Sequence, residues 1–174
     1  MNTIRNFMHK FFRYDVDIAL FIACCIGVCL MVYGIISTVF PDYNIGGKSP
    51  LEEEYEVVQY LHDDGILSNQ EELIHGLEYL REKTNIQMVI ITSSQKWSDG
   101  AAVREYYLTF EDEGHILLIV PPEGSTRFHY AIGSEASTVI DSKAMSYFVN
   151  QVKHSRDGAY WEKQICNFAD ELVS

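Results

Sequence analysis

The residues best suited to chemistry in this sequence are carboxylates in segments that read as loops: Asp63 and Asp64, Asp99, the run Glu111-Asp112-Glu113, Glu135 and Asp141. Oxygen ligands drawn from several loops are what a hard cation such as calcium requires, since it takes about six to eight oxygens and tolerates irregular geometry. Their spacing matches no calcium-binding loop. Helix entry or turn chemistry is the plainer role for Asp63 and Asp64, and a solvated turn for Glu111 to Glu113. His115 and His129 fall on neighbouring expected strands, where a histidine satisfied on a polar face is the simpler reading than a shared ligand site. Cys166 has no base near it in sequence and reads as a small buried hydrophobe. The aromatic set Tyr106, Tyr107, Phe110, Phe128 and Tyr130 reads as core.

Motifs with a stronger mechanism are absent. The chain has no G-x-x-x-x-G-K-Ser/Thr phosphate loop, no H-E-x-x-H, no paired C-x-x-C and no G-x-S-x-G. Gly133-Ser134-Glu135 lacks the flanking glycines that would make it such a loop.

The charge is one-sided. The chain carries a formal net charge of -12, and beyond Phe40 it has 10 Lys plus Arg against 23 Asp plus Glu, a net of -13. Such a field repels nucleic acid and anionic lipid and favours cations or basic partners. Four cysteines are present, and only Cys166 lies beyond Phe40, so no disulfide forms within that part of the chain.

These residues need elements to position them, and the first element is an anchor. Ile18 to Phe40 reads IALFIACCIGVCLMVYGIISTVF, 23 residues without one Asp, Glu, Lys or Arg. At about 1.5 Å per residue such a helix extends roughly 35 Å, enough to cross a bilayer core. A cleaved signal peptide is the rival reading, but its apolar region runs to only about 7 to 15 residues before a small-residue cleavage site. Arg5, Lys10 and Arg13 precede the span, whereas Lys48 faces Asp42, Glu52, Glu53, Glu54 and Glu56 after it. Cations flanking a span stay inside. The expectation is a single-pass protein of the cell membrane: a cytoplasmic basic arm over 1–17, a transmembrane helix over 18–40, and everything beyond on the extracytoplasmic side.

Residues 41–50 (PDYNIGGKSP) have the composition of a short flexible spacer, and 51–174 form one domain of a size that supports a real core. Leu51 to His62 is ambiguous between helix and strand. Ser68-Asn69-Gln70-Glu71 has the form of a capping box, ahead of a helix from about Asn69 to Lys83 with Leu73, Leu77 and Leu80 on one face. Ile86 to Thr92 reads as a central strand buried on both faces. Ala102, Tyr106 and Phe110 mark a second helix capped by Ser98 or Asp99, followed by a strand from Ile116 to Val120. Pro121 to Thr126 is turn sequence leading into an antiparallel strand, Arg127 to Gly133, with Phe128, Tyr130 and Ile132 on one face. Two more helices follow, one capped by Asp141 or Ser142 and one striped by Trp161, Ile165, Phe168 and Leu172. Strands alternating with helices predict an α/β domain, a three-layer α/β/α sandwich around a small mixed sheet preceded by the transmembrane helix.

The order of segments from about Val57 to Val173 resembles the TPM domain family, named for a thylakoid lumen protein, a photosystem II repair protein and a modulator of an acetylcholine receptor. The residues carrying the likeness are DDGILS at Asp63 to Ser68, IQMVIIT at Ile86 to Thr92, DEGHILLIV at Asp112 to Val120 and the strand ending in Gly133. The resemblance implies an α/β/α sandwich, commonly tethered to a membrane outside the cytoplasm. Some members look like acid phosphatases, some bind calcium, and others serve as accessory subunits of membrane complexes. Only Asp63 and Asp112 match acidic positions of the family, so they are the metal ligands the resemblance implies here, for calcium or another divalent cation.

The function expected from the sequence is therefore an interaction or accessory module for a protein partner in or near the membrane, held in the bilayer and without affinity for nucleic acid. The alternative is a divalent-cation-dependent acid phosphatase on the outer face.

Overall fold

The computed structural model describes residues 26–28 and 44–174. Residues 26–28 are helical. The basic arm and the rest of the expected span, Ile18 to Phe40, lie outside the described residues. No helix among the described residues is long and apolar enough to cross a membrane. The chain divides into two compact units, Met1–Asp42 and Tyr43–Ser174, and the second holds a mixed α/β fold.

Its sheet has four strands in the order β1 (Leu61–His62), β2 (Gln87–Thr92), β3 (His115–Val120) and β4 (His129–Ile132). The first three run parallel, with Leu61 beside Ile90 and Gln87 beside His115, and β4 returns antiparallel to β3. Between them run α1 (Gln70–Thr84) and α2 (Asp99–Thr109), and after β4 come α3 (Ser142–Val152) and α4 (Gly158–Val173).

The apolar runs of β2 and β3 bury both of their faces, because helices cover the sheet on each side. Met88, Ile90, Ile116, Leu118 and Val120 join Leu73, Leu77 and Leu80 of α1, Phe148 of α3 and Trp161, Ile165 and Phe168 of α4 in one cluster. Val89, Leu117, Ile119 and Ala131 point the other way, onto Ala102, Tyr106 and Phe110 of α2. Three helices thus cover one face and α2 covers the other. The alternation along β4 places Tyr130 and Ile132 against the larger cluster and buries His129 and Ala131 on the α2 side.

Local signals set the helix ends. Ser98 Oγ accepts from the Ala101 amide at 3.2 Å, and Asp141 Oδ1 from the Ala144 amide at 2.8 Å, satisfying first-turn donors of α2 and α3. Asn85 ends α1 in the left-handed conformation, φ 56°, with its amide on the Arg81 carbonyl. α1 and α4 lie so close at Gly76 that a Cβ there would stand 2.9 Å from the Glu162 Cα.

Two sequence expectations change. The capping box does not form: α1 begins after Asn69, at φ 48° and with no side-chain cap. Ser68 is instead bridged to Asp157, and Asn69 Nδ2 donates to Asp157 Oδ1 at 2.7 Å, so a long-range contact has taken both residues. The Gly46-Gly47 stretch is not a free spacer over its second half. Ile45 is buried, Gly47 donates to the Ser174 carbonyl at 3.0 Å and Lys48 to the Leu172 carbonyl at 2.8 Å, which docks the segment on the end of α4. The ambiguous stretch from Leu51 is neither helix nor strand through Tyr60 and enters β1 only at Leu61.

Candidate functional site

In an open sheet with parallel strands, ligand sites form beyond the carboxyl ends of the strands, where loops diverge. That edge carries two depressions that share Ser93. One, an open cleft of about 370 Å³, lies between the β2–α2 loop (Ser93, Ser94, Gln95, Lys96, Trp97) and the β3–β4 hairpin (Pro121, Pro122, Ser125, Arg127), with Ile119 and His129 also in its lining. The other, shallower and about 490 Å³, is lined by His62, Asp63, Asp64, Gln70 and Thr92.

One lining residue of the cleft, His129, belongs to an Asp–His pair. His129 Nδ1 stands 2.7 Å from Asp99 Oδ1; the histidine side chain is 8% exposed and the carboxylate 87%. Antiparallel β4 brings His129 beside Ile119 of β3, and the start of α2 brings Asp99 over it. A carboxylate on Nδ1 fixes the ring, leaving Nε2 as the atom available to a ligand. No pattern in the sequence joins residues thirty positions apart, so this pair was invisible there.

Asp63 is not a free ligand. Its Oδ1 accepts from the Ile66 and Leu67 amides at 3.0 and 3.2 Å, and its Oδ2 from the Gly65 amide at 3.0 Å and Gln70 Nε2 at 2.7 Å. These bonds hold the turn into α1. Asp64 is tied through its amide to Thr92 Oγ1 at 2.8 Å.

Asp112 lies at the opposite edge. Gln87 and His115 mark the amino ends of β2 and β3, and Asp112 precedes His115, whereas Asp63 follows the carboxyl end of β1. The six residues of β2 separate the two edges by about 20 Å. The structure therefore does not bring Asp63 and Asp112 together around one cation. No group of three or more His, Cys, Asp or Glu among the described residues is placed to hold a metal.

Asp112 instead organises a buried network. Its Oδ1 accepts from the Gly114 amide at 2.9 Å and contacts His115 Nδ1 at 2.6 Å, and His115 is 1% exposed. His115 Nε2 faces the Glu56 carbonyl at 3.0 Å and Gln87 Oε1 at 3.2 Å. The Gln87 amide is oriented by Val58, whose N–H donates to Oε1 and whose carbonyl accepts from Nε2. The ring nitrogens are thus surrounded by oxygens: a carboxylate, a carbonyl and an amide. Phe110 stacks on the ring at 4.4 Å between centroids. Gly114 is required here because a Cβ would run into the Tyr55 ring. The network fastens the segment before β1 to the amino edge of the sheet.

The remaining candidates are structural. Glu113 Oε2 accepts from the Ser134 amide at 2.8 Å, and Asp141 caps α3. Burial, reinforced by the charges of Glu162 and Asp170, raises the Cys166 thiol above its ordinary pKa, and the residue is half-buried rather than fully buried. Tyr106 is core, as expected, with its hydroxyl donating to the Asp112 carbonyl. Tyr107 is not: it is 63% exposed. Together with Val103 at 44% and Leu108 at 77%, it gives α2 an apolar outer surface.

No family model matches the chain, and no curated protein matches it. Among solved structures, the chain is similar to the N-terminal domain of the cg2496 protein from Corynebacterium glutamicum, determined by solution NMR. The identity is 10%, the TM-score 0.46, and the alignment covers 72% of this chain and 85% of that one.

Proposed function

We propose that this chain is a membrane-tethered interaction module of TPM type, with its N-terminus in the cytoplasm and its acidic domain outside, docking on another protein of the same membrane or envelope. The observation that carries this reading is the outer surface of α2. A helix covering a sheet normally turns its apolar residues inward and polar ones to solvent. α2 buries Ala102 and Tyr106 yet also exposes Val103, Tyr107 and Leu108. Val103 and Tyr107, four apart, share one face, and Leu108 lies about 100° further round the helix, an apolar exposure of the kind that marks a contact site on a soluble domain. The uncharged stretch from Ile18 to Phe40 supports the tether, and the net charge of -13 beyond it favours a partner with basic residues around an apolar patch. In this reading the sheet, with helices on both faces, is the three-layer α/β/α arrangement of that family.

The test is purification of the tagged full-length protein from its native membrane, as wild type and as the Val103→Glu/Leu108→Glu variant. The reading expects a stoichiometric membrane protein to accompany the wild type and to be lost from the variant, with the melting temperature unchanged. Retention of the same partner by the variant would contradict it.

A further inference from the structure

The cleft between the β2–α2 loop and the β3–β4 hairpin has a chemistry of its own, separate from the α2 surface. Lys96 and Arg127 are both exposed and line it. Neither has an ion-pair partner among the described residues, although acids outnumber bases by more than two to one beyond Phe40. His129 is about nine-tenths buried, and with Nδ1 on Asp99 its Nε2 is left without a hydrogen-bond partner among the described residues. The Trp97 indole N–H, in the same wall, is a buried donor with no acceptor among the described residues. Two unpaired cations and an unmatched indole donor around one opening call for an anion.

The walls are already fixed. Arg156 donates from Nε to the Pro121 carbonyl at 2.9 Å and from Nη2 to the Ser125 carbonyl at 2.8 Å, clamping the hairpin from behind. The opposite loop is held by the Ser93 amide on the Val120 carbonyl at 3.0 Å. A site whose walls need no ordering loses less of its binding free energy to entropy.

The kind of anion follows from charge and lining. Lys96 and Arg127 contribute two positive charges and Asp99 one negative, so with a neutral His129 the local balance is +1. Glu123, on the hairpin, interacts with Arg156, and these two opposite charges cancel in the balance. A monoanion is matched, and the second charge of a phosphate is not. Trp97, Ile119, Pro121 and Pro122 give the same cleft apolar walls, and about 370 Å³ is within the range of small-molecule sites.

We propose that this cleft binds an organic monocarboxylate with an apolar or aromatic body. The carboxylate lies between Lys96 and Arg127, and the body lies against Trp97 and the two prolines. A free small acid and the C-terminus of a peptide share this chemistry. The site does not depend on the α2 partner, and either can fail without the other.

The probe is 3-phenylpropionate, titrated into the full-length chain in nonionic detergent and followed by tryptophan fluorescence. Trp161 is fully buried, so a Trp97→Phe control assigns the signal to Trp97. The expected result is saturation with a Kd of about 1–5 mM, at least about tenfold weaker for 3-phenylpropan-1-ol and for inorganic phosphate. Lys96→Gln/Arg127→Gln should weaken 3-phenylpropionate about tenfold or more without lowering the melting temperature, since both residues are exposed. A peptide ending in Phe, compared as free acid and as amide, separates the two sources: binding of the acid alone points to a peptide terminus, and no binding of either points to a free acid. Phosphate or the alcohol binding as tightly as the acid, no saturation by about 20 mM, or an unchanged Kd in the double variant would overturn the proposal.

Discussion

His115 Nδ1 lies 2.6 Å from Asp112 Oδ1 at the amino edge of the sheet, while the other ring nitrogen faces the Glu56 carbonyl and Gln87 Oε1. The contact ties the segment before β1 to the sheet through the Glu56 carbonyl.

Removing the carboxylate from this network should be costly. Asp112→Ala leaves a buried imidazole without its Nδ1 partner and takes the acceptor from the Gly114 amide, a loss of about 2–4 kcal/mol in urea unfolding. Asp63→Ala strips the acceptor from three backbone amides and is expected to cost about 1–2 kcal/mol. Neither change alters a shared metal affinity, because the two residues are at opposite edges.

The His129–Asp99 contact behaves differently because Asp99 is almost fully in water. Asp99→Ala is expected to change stability by less than about 1 kcal/mol. It should nonetheless release the ring from its fixed tautomer, seen as a mixed Nδ1–H and Nε2–H population in nitrogen-15 NMR of the imidazole. A single unchanged tautomer in the variant would show that Asp99 does not orient the ring.

A pH dependence follows from His75, whose pKa is raised above 6.5 first by its hydrogen bond to Glu162, at 2.6 Å, and then by that carboxylate's charge. A raised folded-state pKa stabilises fully below the unfolded value and is lost as pH rises through the folded one. The urea midpoint of the wild type should exceed that of His75→Gln near pH 5.5, and the gap should close by about pH 8.5. The side chain is 70% exposed, so the difference is small. A gap that widens with pH would contradict the sign.

Gly76 sets a helix preference against a packing contact. Alanine gains about 1 kcal/mol in helix propensity, but its Cβ would press on the backbone of Glu162. α1 and α4 form one large interface, so separating them should win: Gly76→Ala is expected to be destabilising by about 1–3 kcal/mol in thermal melts.

The strands and helices were legible because their signals are local. Met88 to Ile91 and Ile116 to Val120 are continuous apolar runs, and Ala102–Tyr106 and Trp161–Ile165–Phe168–Leu172 keep helical spacing. The capping box failed because Ser68 and Asn69 are engaged by Asp157, 88 positions away from Asn69. The carboxylates at Asp63 and Asp112 looked alike in sequence, and only strand direction sets them apart. The cleft joins residues from 93 to 129 through the register of β3 and β4, which no short motif encodes. The α2 surface was closest to readable: Val103 and Tyr107 repeat the spacing of Ala102 and Tyr106 one position on, but nothing in the sequence says which stripe faces the sheet.

The reading of this chain as an interaction module is tested most directly by a photo-crosslinking residue placed at Tyr107 in the full-length protein in its native membrane, with Glu72, exposed on α1, as the control position. The account predicts one specific adduct to a membrane or envelope protein from position 107, absent from position 72 and abolished by Leu108→Glu. Equal or absent adducts from the two positions would contradict it.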